Sequence, residues 1–360
     1  MKNNKGEWSE FYAFLKILES GMVFAADKDL KAIAGKFFIF HKIFREEVRG
    51  TTKIYEILPA KQLVLIKNEE DAILKKFDCS HLGEKTKRIF EKIKSTSKSS
   101  FCVIEAQKLM KQLLCEKVKA SSDKKADLMA IIDDRISDEL PVLGFSIKSM
   151  VGGASTLLNP GKTTNFIYRI TGFHGNISGV NTIHSKAKIR DRIKTIYDNG
   201  GSFEFVNVSN EHFNMNLRML DSALPEFIAR MLLNFFSSDR RTVKDLTEGL
   251  TEHKHNNQKI NSPAGFYEYK IKAFLDAIAL GMVPDTAWDG FSKAHGGYLV
   301  VKENGDVVCY HLYNRDEFKN YLYENTKFDA SSTGRYDYGR LYKKDSHLFF
   351  NLNLQIRFIR

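Results

Sequence analysis

The chain has 360 residues, of which 43% are hydrophobic and 28% are charged, a balance that excludes a fibrous or largely disordered protein. Its length favours two domains, or one large elaborated domain, over a single small core. Lysine and arginine number 55 against 44 acidic residues, a formal net charge of +11, so we expect a polyanionic partner.

The cysteines and the first residues predict a cytoplasmic protein. The four cysteines form no CxxC pair and stand among apolar residues, which is typical of reduced thiols in a core. The start of the chain, Met1 to Ser9, is polar, and no apolar run reaches the ~18 residues that a membrane span needs. We therefore expect a soluble protein with no membrane partner.

The first predicted element is an amphipathic helix over 7–20, whose apolar residues recur at helical spacing and which ends before Gly21. This helix carries two carboxylates three residues apart, Glu7 and Glu10. Further helical patterns follow at 69–77 and at 101–119.

Two short strands come next. The patterns predict a strand at 126–132, a charged turn at 133–139 and a second strand at 142–149. Because a polar loop joins the two strands, we expect them to pair as a hairpin. Asp127 lies on the first strand, and Ser146 and Lys148 lie on the second.

The remaining elements alternate between helices and strands, and the last seventy or so residues are rich in strands. The predicted elements are a strand at 165–170, a basic helix at 183–197, a strand at 203–208, helices at 215–236 and 270–280, a polar linker at 240–262, a hairpin at 297–312 and a final strand at 351–358.

Asp127 and Lys148 are the most informative residues for chemistry. Hydrolysis of a phosphodiester with Mg²⁺ needs carboxylate oxygens for the metal and a nearby cation to orient the attacking water. An isolated aspartate and lysine are more often a strand-edge acid and a solvated amine. Lys148 lies inside an otherwise apolar strand, however, where an amine costs free energy unless it is paired or functional. The pair therefore favours a metal-dependent nuclease site.

A second carboxylate is expected from elsewhere in the chain. In the PD-(D/E)xK nuclease pattern, which this stretch resembles, an acid would stand at position 146, where this chain has Ser146. Serine is a poor Mg²⁺ ligand, so the missing charge is expected from Glu10 or, failing that, Glu7. The backbone carbonyl of Ile147 is a candidate additional ligand. The predicted metal ligands are thus Asp127, Glu10 and Ile147.

Basic and amide side chains predict contacts to DNA. Glutamine and arginine reach base edges through paired hydrogen bonds, and lysine and arginine neutralise phosphates. Cations at every second position of the basic helix suit a phosphate-tracking surface and an ordinary solvated helix equally well. The candidates are Gln355 and Arg357 on the final strand, Arg335 in the loop before it, and Lys186 and Arg190 on the basic helix.

Two common catalytic motifs are excluded. Gly161-Lys162-Thr163 looks like the end of a phosphate-binding loop, but Thr156 stands where the first glycine of that loop is required. The chain also contains no GxSxG motif. The sequence therefore supports neither hydrolysis of nucleoside triphosphates nor a serine esterase.

Five stretches, spread in one order over nearly the whole chain, make the sequence resemble the HpaII family of type II restriction endonucleases. They are GEWSE at 6–10, GFSIKS at 144–149, STLLNPGKTTNF at 155–166, AFLDAIALGMVPDTAWDG at 273–290 and NLQIRF at 353–358. The resemblance implies Mg²⁺-dependent cleavage of both strands of duplex DNA at a short palindrome, with CCGG as the family's namesake target. It also implies a partner methyltransferase.

The resemblance assigns roles to four residues. Asp127 would be the metal-binding acid, Lys148 the catalytic lysine, Ser146 the substituted acid position and Glu10 the carboxylate of the first helix. A palindromic target favours a symmetric homodimer.

For the fold, we expect a mixed α/β protein with a restriction-endonuclease-like core, in which helices flank a central mixed sheet, and with a strand-rich C-terminal part. The predicted division is a nuclease core at 1–210, a helical region and linker at 211–290 and a DNA-recognition part at 291–360. Two other functions remain open: a DNA-binding regulator without hydrolytic activity, and a nuclease acting on RNA or single strands.

Overall fold

The computed structural model describes residues 1–48, 50–119, 126–133, 140–252 and 265–359. Most of the predicted turn at 133–139 and the end of the predicted linker at 240–262 lie outside these residues. The described helices are α1 (Lys5–Ser20), α2 (Leu82–Ser95), α3 (Ile104–Gln112), α4 (Ile177–Asn181), α5 (Lys188–Asp198), α6 (Glu211–Leu220), α7 (Leu224–Ser237), α8 (Val243–Glu252), α9 (Phe266–Ala279), α10 (Arg315–Glu324) and α11 (Thr333–Tyr336).

The described strands run through the whole chain. They are β1 (Met22–Ala26), β2 (Ala32–Val48), β3 (Thr51–Leu58), β4 (Leu63–Lys67), β5 (Ile73–Asp78), β6 (Leu128–Ile132), β7 (Val142–Ser149), β8 (Thr156–Leu158), β9 (Asn165–Thr171), β10 (Ser202–Val208), β11 (Gly297–Val301), β12 (Val307–His311), β13 (Thr326–Phe328), β14 (Leu341–Lys344), β15 (His347–Asn353) and β16 (Ile356–Phe358).

The chain folds into two compact units, and each is built from two separate parts of the sequence. The first unit is Met1–Ser155 with Ser292–Tyr321, and the second is Thr156–Phe291 with Leu322–Arg360. This division differs from the three consecutive ranges that we predicted, because β11 and β12 return to pair with strands of the first unit.

The first unit contains a nine-stranded mixed sheet, as the predicted fold class requires. Its order is β1-β12-β11-β7-β6-β2-β3-β4-β5, and its parallel pairs are β1 with β12 and β11 with β7. The helix predicted at 69–77 is wrong: from residue 73 onward this stretch belongs to strand β5, which pairs with β4. Since β1 also pairs with the first half of β2, the strands from β1 through β12, β11, β7 and β6 to β2 form a closed circuit.

Helix α1 confirms the first predicted element and packs against β7 and α2. Asn4 and Glu7 begin it with a reciprocal pair of 2.9 Å hydrogen bonds between side chain and backbone, the arrangement of a capping box. Gly21 ends it in the left-handed conformation, with φ at 68°. Trp8, Phe11 and Phe14 on its inner face are fully buried, so α1 is fixed firmly on the sheet.

Strands β6, β7 and β11 confirm the predicted hairpin and extend it. Strands β6 and β7 are antiparallel, with Leu128 opposite Phe145, and β11 lies parallel to β7 on its other side, with Tyr298 opposite Ser146. Residues opposite each other share a face of the sheet, and residues two apart on one strand share it too. Ser146 and Lys148 therefore lie on the same face.

The predicted helix at 101–119 is correct only for α3, and the residues after it are held by a buried ion pair on β2. Arg45 Nε donates to Glu47 Oε1 at 2.9 Å. Glu47 Oε2 accepts from the backbone N–H groups of residues 116 and 117 at 2.8 and 3.2 Å, while Arg45 donates to the carbonyls of residues 117 and 118 at 2.9 and 3.3 Å. These bonds take the place of helical hydrogen bonds for residues 116–118, and they fix the position of the backbone just before residue 119.

The second unit contains two smaller antiparallel sheets, with orders β10-β9-β15-β14 and β13-β16-β8. The predicted single strand at 351–358 is wrong, because β15 and β16 belong to different sheets. Asn353 is the last residue of β15: it is buried, and its amide donates to the Gly161 carbonyl at 2.7 Å and to Asn165 Oδ1 at 2.8 Å. The predicted linker at 240–262 is wrong at its start, where helix α8 forms.

Among the described residues, the structure contains no helix whose length and apolar character would let it cross a membrane.

The buried pair on β2 predicts a large effect on stability. In Glu47→Ala, Arg45 keeps its charge in the core without a partner, so we expect a loss of about 3–5 kcal/mol in the free energy of unfolding. Urea unfolding measures this change. The exposed Glu70 provides the matched control, and Glu70→Ala should change the free energy by less than about 0.5 kcal/mol. Equal stability of the two variants would contradict the assigned role.

Candidate active site

Asp127 is fixed against the neighbouring strand β7. Its backbone N–H donates to the Phe145 carbonyl at 2.9 Å. Its side-chain Oδ2 accepts from Ser146 Oγ at 3.1 Å and from the Ile147 N–H at 2.9 Å. Both bonds fall on one oxygen, so the carboxylate is oriented by β7 and its other oxygen, Oδ1, faces the rest of the site.

Glu10 brings the second carboxylate from helix α1. Its side chain is 16% exposed, and its Oε2 is buried without a hydrogen-bond partner among the described residues. Glu7 is instead occupied at the start of α1 by its reciprocal bonds with Asn4. Of the two acids that the sequence left open, the structure brings Glu10 to the site.

Lys119 joins the two carboxylates, and no pattern in the sequence pointed to it. Its Nζ lies 2.9 Å from Asp127 Oδ1 and 3.2 Å from Glu10 Oε1. The residue belongs to the irregular segment after α3, where the sequence pattern predicts a helix. A single lysine eight positions before Asp127 belongs to no recognisable spacing, so only the folded structure reveals it.

Lys148 lies half-buried on β7, on the same face as Ser146. Its positive charge lowers the pKa of Glu10, which places its electrostatic influence within the site. Among the described residues, however, it forms no ion pair with either carboxylate. Its ammonium is therefore not committed to Asp127 or Glu10, unlike that of Lys119.

The electrostatic state of Glu10 reflects its crowded surroundings. Burial, and next the negative charge of Asp127, raise its pKa from 4.5 to about 7, although Lys119 and Lys148 act in the opposite direction. A carboxylate with so high a pKa is poorly compensated by its surroundings. Ionisation of Glu10 in this buried site therefore costs free energy even with both lysines present.

The donor set suits a hard divalent cation. Among the described residues, no group of three or more histidine, cysteine, aspartate or glutamate side chains is placed to hold a metal ion. The site instead offers the carboxylates of Asp127 and Glu10, which are the oxygen ligands that Mg²⁺ and Ca²⁺ prefer. The unpartnered, buried Oε2 of Glu10 is an acceptor that a cation would satisfy. These residues fit a divalent metal with two protein carboxylates.

The second unit holds a cavity of about 810 Å³, here called the basic groove. Five cationic side chains line it: Lys186, Lys188, Arg190, Arg241 and Lys327. Asp329 is the one carboxylate in the described lining, and the hydroxyls of Ser331, Ser332 and Thr333 add polar groups. The groove therefore carries a concentrated positive charge.

The cations on and just before helix α5 fall into two groups, those that line the basic groove and one that is buried. Lys186, just before the helix, is exposed, and Arg190 also pairs with Asp239 at 2.7 Å. Arg192 points the other way: it is 2% exposed and donates to the carbonyls of Gly339, Asn181 and Ile183. One face of α5 thus supplies charge to the groove, while Arg192 serves the core.

The other predicted DNA contacts differ in exposure. Gln355 is 9% exposed, because it lies between β15 and β16 where the chain passes from one sheet to the other, and this burial leaves little surface for a base edge. Arg357 on β16 pairs with Asp329 at 3.2 Å. Arg335 in α11 is exposed, with its guanidinium 5.4 Å from the centre of the Tyr336 ring.

Comparison with known proteins agrees with the resemblance carried by the five stretches of sequence. Residues 4–358 match the family model described as HpaII restriction endonuclease. The chain is 37% identical over 357 residues to the protein named "Type II restriction enzyme HpaII" of Haemophilus parainfluenzae, an alignment that covers 99% of this chain and 98% of that protein. No solved structure matches the chain.

The raised pKa of Glu10 predicts a pH-dependent loss of stability in the metal-free protein. The folded state holds the Glu10 proton more tightly than the unfolded state, where the pKa is near 4.5. The contribution of Glu10 is therefore fully present below about pH 4.5 and is lost as the pH rises through about 7.

Glu10→Gln cannot ionise, so it should escape this loss. Between about pH 4.5 and pH 8, we expect the free energy of unfolding of the unchanged protein to fall by roughly 2–4 kcal/mol relative to that of the variant. Urea unfolding at several pH values measures the difference. Glu70→Gln, at an exposed position, should follow the unchanged protein, and parallel curves for all three proteins would rule out the assigned pKa.

Proposed function

The chain belongs to the HpaII restriction endonuclease family, and from this we propose that it cuts duplex DNA at the palindrome CCGG with Mg²⁺, using Asp127, Glu10 and Lys148. The enzyme is a type II restriction endonuclease, a site-specific deoxyribonuclease whose substrate is DNA. The observation that carries the proposed site is the convergence of two carboxylates, Glu10 from α1 and Asp127 from the residue just before β6, with Lys148 on the neighbouring strand β7.

Asp127 and Glu10 would hold the metal, with the carbonyl of Ile147 as a proposed further ligand. Type II restriction enzymes generally use divalent metal ions, and carboxylate and carbonyl oxygens are the ligands that Mg²⁺ takes. When bound, Mg²⁺ would supply positive charge against the phosphate oxygens and lower the pKa of the attacking water.

Lys148 is the proposed catalytic lysine. Its uncommitted ammonium would hold the attacking water in line with the scissile bond and stabilise the negative charge that grows on the phosphate oxygens. The water oxygen forms a bond to phosphorus while the bond from phosphorus to the 3′ oxygen breaks. The attacking water gives up one proton to the solvent, the leaving oxygen takes up a proton as a 3′-hydroxyl, and the other fragment would keep a 5′-phosphate.

Ser146 would act through Asp127. Its hydroxyl donates to Asp127 Oδ2 at 3.1 Å, so it orients the carboxylate and need not bind the metal itself. Asp127 stands directly before β6, and Ser146 and Lys148 stand two positions apart on the antiparallel neighbour β7. This arrangement keeps the spacing of the PD-(D/E)xK pattern with one substitution. On this spacing we assign β6 and β7, with α1, to a PD-(D/E)xK-type core.

The basic groove is the proposed site for the DNA backbone. Phosphates bind wherever lysine and arginine concentrate, and five cations face one carboxylate here. Lys186 and Arg190 are thereby proposed as phosphate contacts. Arg335, Arg357 and Gln355 remain proposed DNA contacts, of which Arg335 has the most accessible side chain.

The remaining proposals concern how the enzyme works in the cell. A palindrome has two-fold symmetry, so we propose a homodimer that engages both half-sites. We also propose a cognate methyltransferase that protects the host's own sites. The four cysteines are free, and three of them are buried, which suits the reducing cytoplasm where we place the enzyme.

Substitution of the site residues tests the proposed chemistry. Asp127→Asn and Lys148→Ala should each lower the rate of plasmid cutting with Mg²⁺ at least about a hundred-fold, because each removes a group that acts in the transition state. Lys108→Ala, at an exposed position of α3, should cut at the unchanged rate. Full cutting by either site variant would remove that residue from the mechanism, and sequencing the ends of cut DNA shows whether CCGG is the target.

The basic groove predicts how binding depends on salt. In the variant Lys186→Ala with Lys188→Ala, DNA affinity should fall, and the slope of log K against log salt concentration should become shallower by about 1 for each phosphate that the protein no longer neutralises. Fluorescence anisotropy without Mg²⁺ measures the slope. Lys194→Ala is the matched control, because Lys194 lies on the same helix, α5, but pairs with Asp198 at 3.0 Å. If the double variant showed the same slope as the unchanged protein, as the Lys194→Ala control should, the groove would be excluded as a DNA site.

A further inference from the structure

Lys119 occupies one oxygen of each carboxylate proposed to bind the cation, Asp127 Oδ1 and Glu10 Oε1, and leaves only Glu10 Oε2 without a partner among the described residues. Asp127 Oδ2 is already engaged by Ser146 and Ile147, which leaves Oδ1 as the free oxygen of that carboxylate. The Lys119 ammonium takes this oxygen at 2.9 Å and reaches Glu10 Oε1 at 3.2 Å. A single cation therefore already bridges the two proposed metal ligands, and it belongs to the protein itself.

The position of Lys119 is built into the fold. The fully buried Glu47 and its partner Arg45 bind the backbone of residues 116–118 with four hydrogen bonds between them. Val118, the residue before Lys119, is 2% exposed. The start of the side chain is therefore fixed, and a lysine there reaches both carboxylates.

The ammonium itself is not trapped. The Lys119 side chain is 47% exposed, against 16% for Glu10 and 14% for Asp127. The lysine can therefore swing toward solvent on its flexible stem while both carboxylates stay where α1 and β7 hold them. The contact to Glu10 is also longer than the 2.7–2.9 Å or so that is usual for a strong charge-assisted hydrogen bond.

We infer that Lys119 is an internal cation that stabilises the Asp127 and Glu10 carboxylates in the metal-free enzyme and that a divalent cation must displace to bind. This inference rests on the proposed metal site. Two carboxylates that share a partly buried site repel each other, and Lys119 relieves this repulsion until a metal arrives. The same contact competes with the metal, so Lys119 raises the concentration of divalent cation that the enzyme needs.

Removal of the Lys119 charge should change metal affinity and metal-free stability in opposite directions. In Lys119→Met, no ammonium competes for the carboxylates, so the affinity for Mn²⁺ in the absence of DNA should rise about ten-fold, a change of the size expected for one charged hydrogen bond. The melting temperature of the metal-free variant should fall by a few degrees. Electron paramagnetic resonance of free Mn²⁺ and thermal unfolding of the full-length protein measure the two quantities.

Two further variants separate the outcomes. Lys111→Met removes a lysine from an exposed position of α3 and should leave both quantities unchanged, so it controls for net charge. Lys119→Arg keeps a cation in place and should bind Mn²⁺ no more tightly than the unchanged protein. Unchanged or weaker Mn²⁺ binding by Lys119→Met would overturn the inference while leaving the metal site standing. Absence of Mn²⁺ binding in every protein would overturn the proposed metal site and the inference with it.

Discussion

Two carboxylates that lie close together in a partly buried site repel each other unless a cation is shared between them, and this constraint organises the first unit. Asp127 is oriented by two bonds from β7, and Glu10 is carried by a helix whose inner face is packed against the sheet. Neither group can move away easily. The repulsion is therefore relieved by charge, from Lys119 in the metal-free state and from a divalent cation in the proposed working state.

The same constraint connects distant parts of the chain. A buried ion pair on β2 holds the segment that ends at Lys119, and Lys148 on β7 adds a second positive charge that acts on Glu10. The basic groove belongs to the second unit and contains residues of α5 and β13. The proposed cutting site and the proposed backbone-binding site thus belong to different units of one chain, and each unit has its own sheets.

The sequence predicted those parts of the site that depend on local pattern. The antiparallel pairing of β6 with β7, which carries Ser146 and Lys148, was predicted because strand periodicity and a polar turn are local signals, although Asp127 lies just before β6 and not on it. Helix α1 was predicted from its spacing and from Gly21. Lys119 was missed because its place depends on Arg45 and Glu47, more than 65 residues away in the chain. Gln355 was expected on an exposed strand face, but the chain passes there from β15 in one sheet to β16 in another, a change set by long-range pairing, and Gln355 is buried.

A crystal structure of the full-length protein soaked with Mn²⁺ tests the exchange of Lys119 for a metal most directly, because anomalous scattering locates the ion. We predict one Mn²⁺ bound by carboxylate oxygens of both Asp127 and Glu10 at about 2.0–2.3 Å, with the Lys119 ammonium moved away. Mn²⁺ bound elsewhere, with Lys119 still bridging the two carboxylates at concentrations that support cutting, would show that the two cations do not exchange.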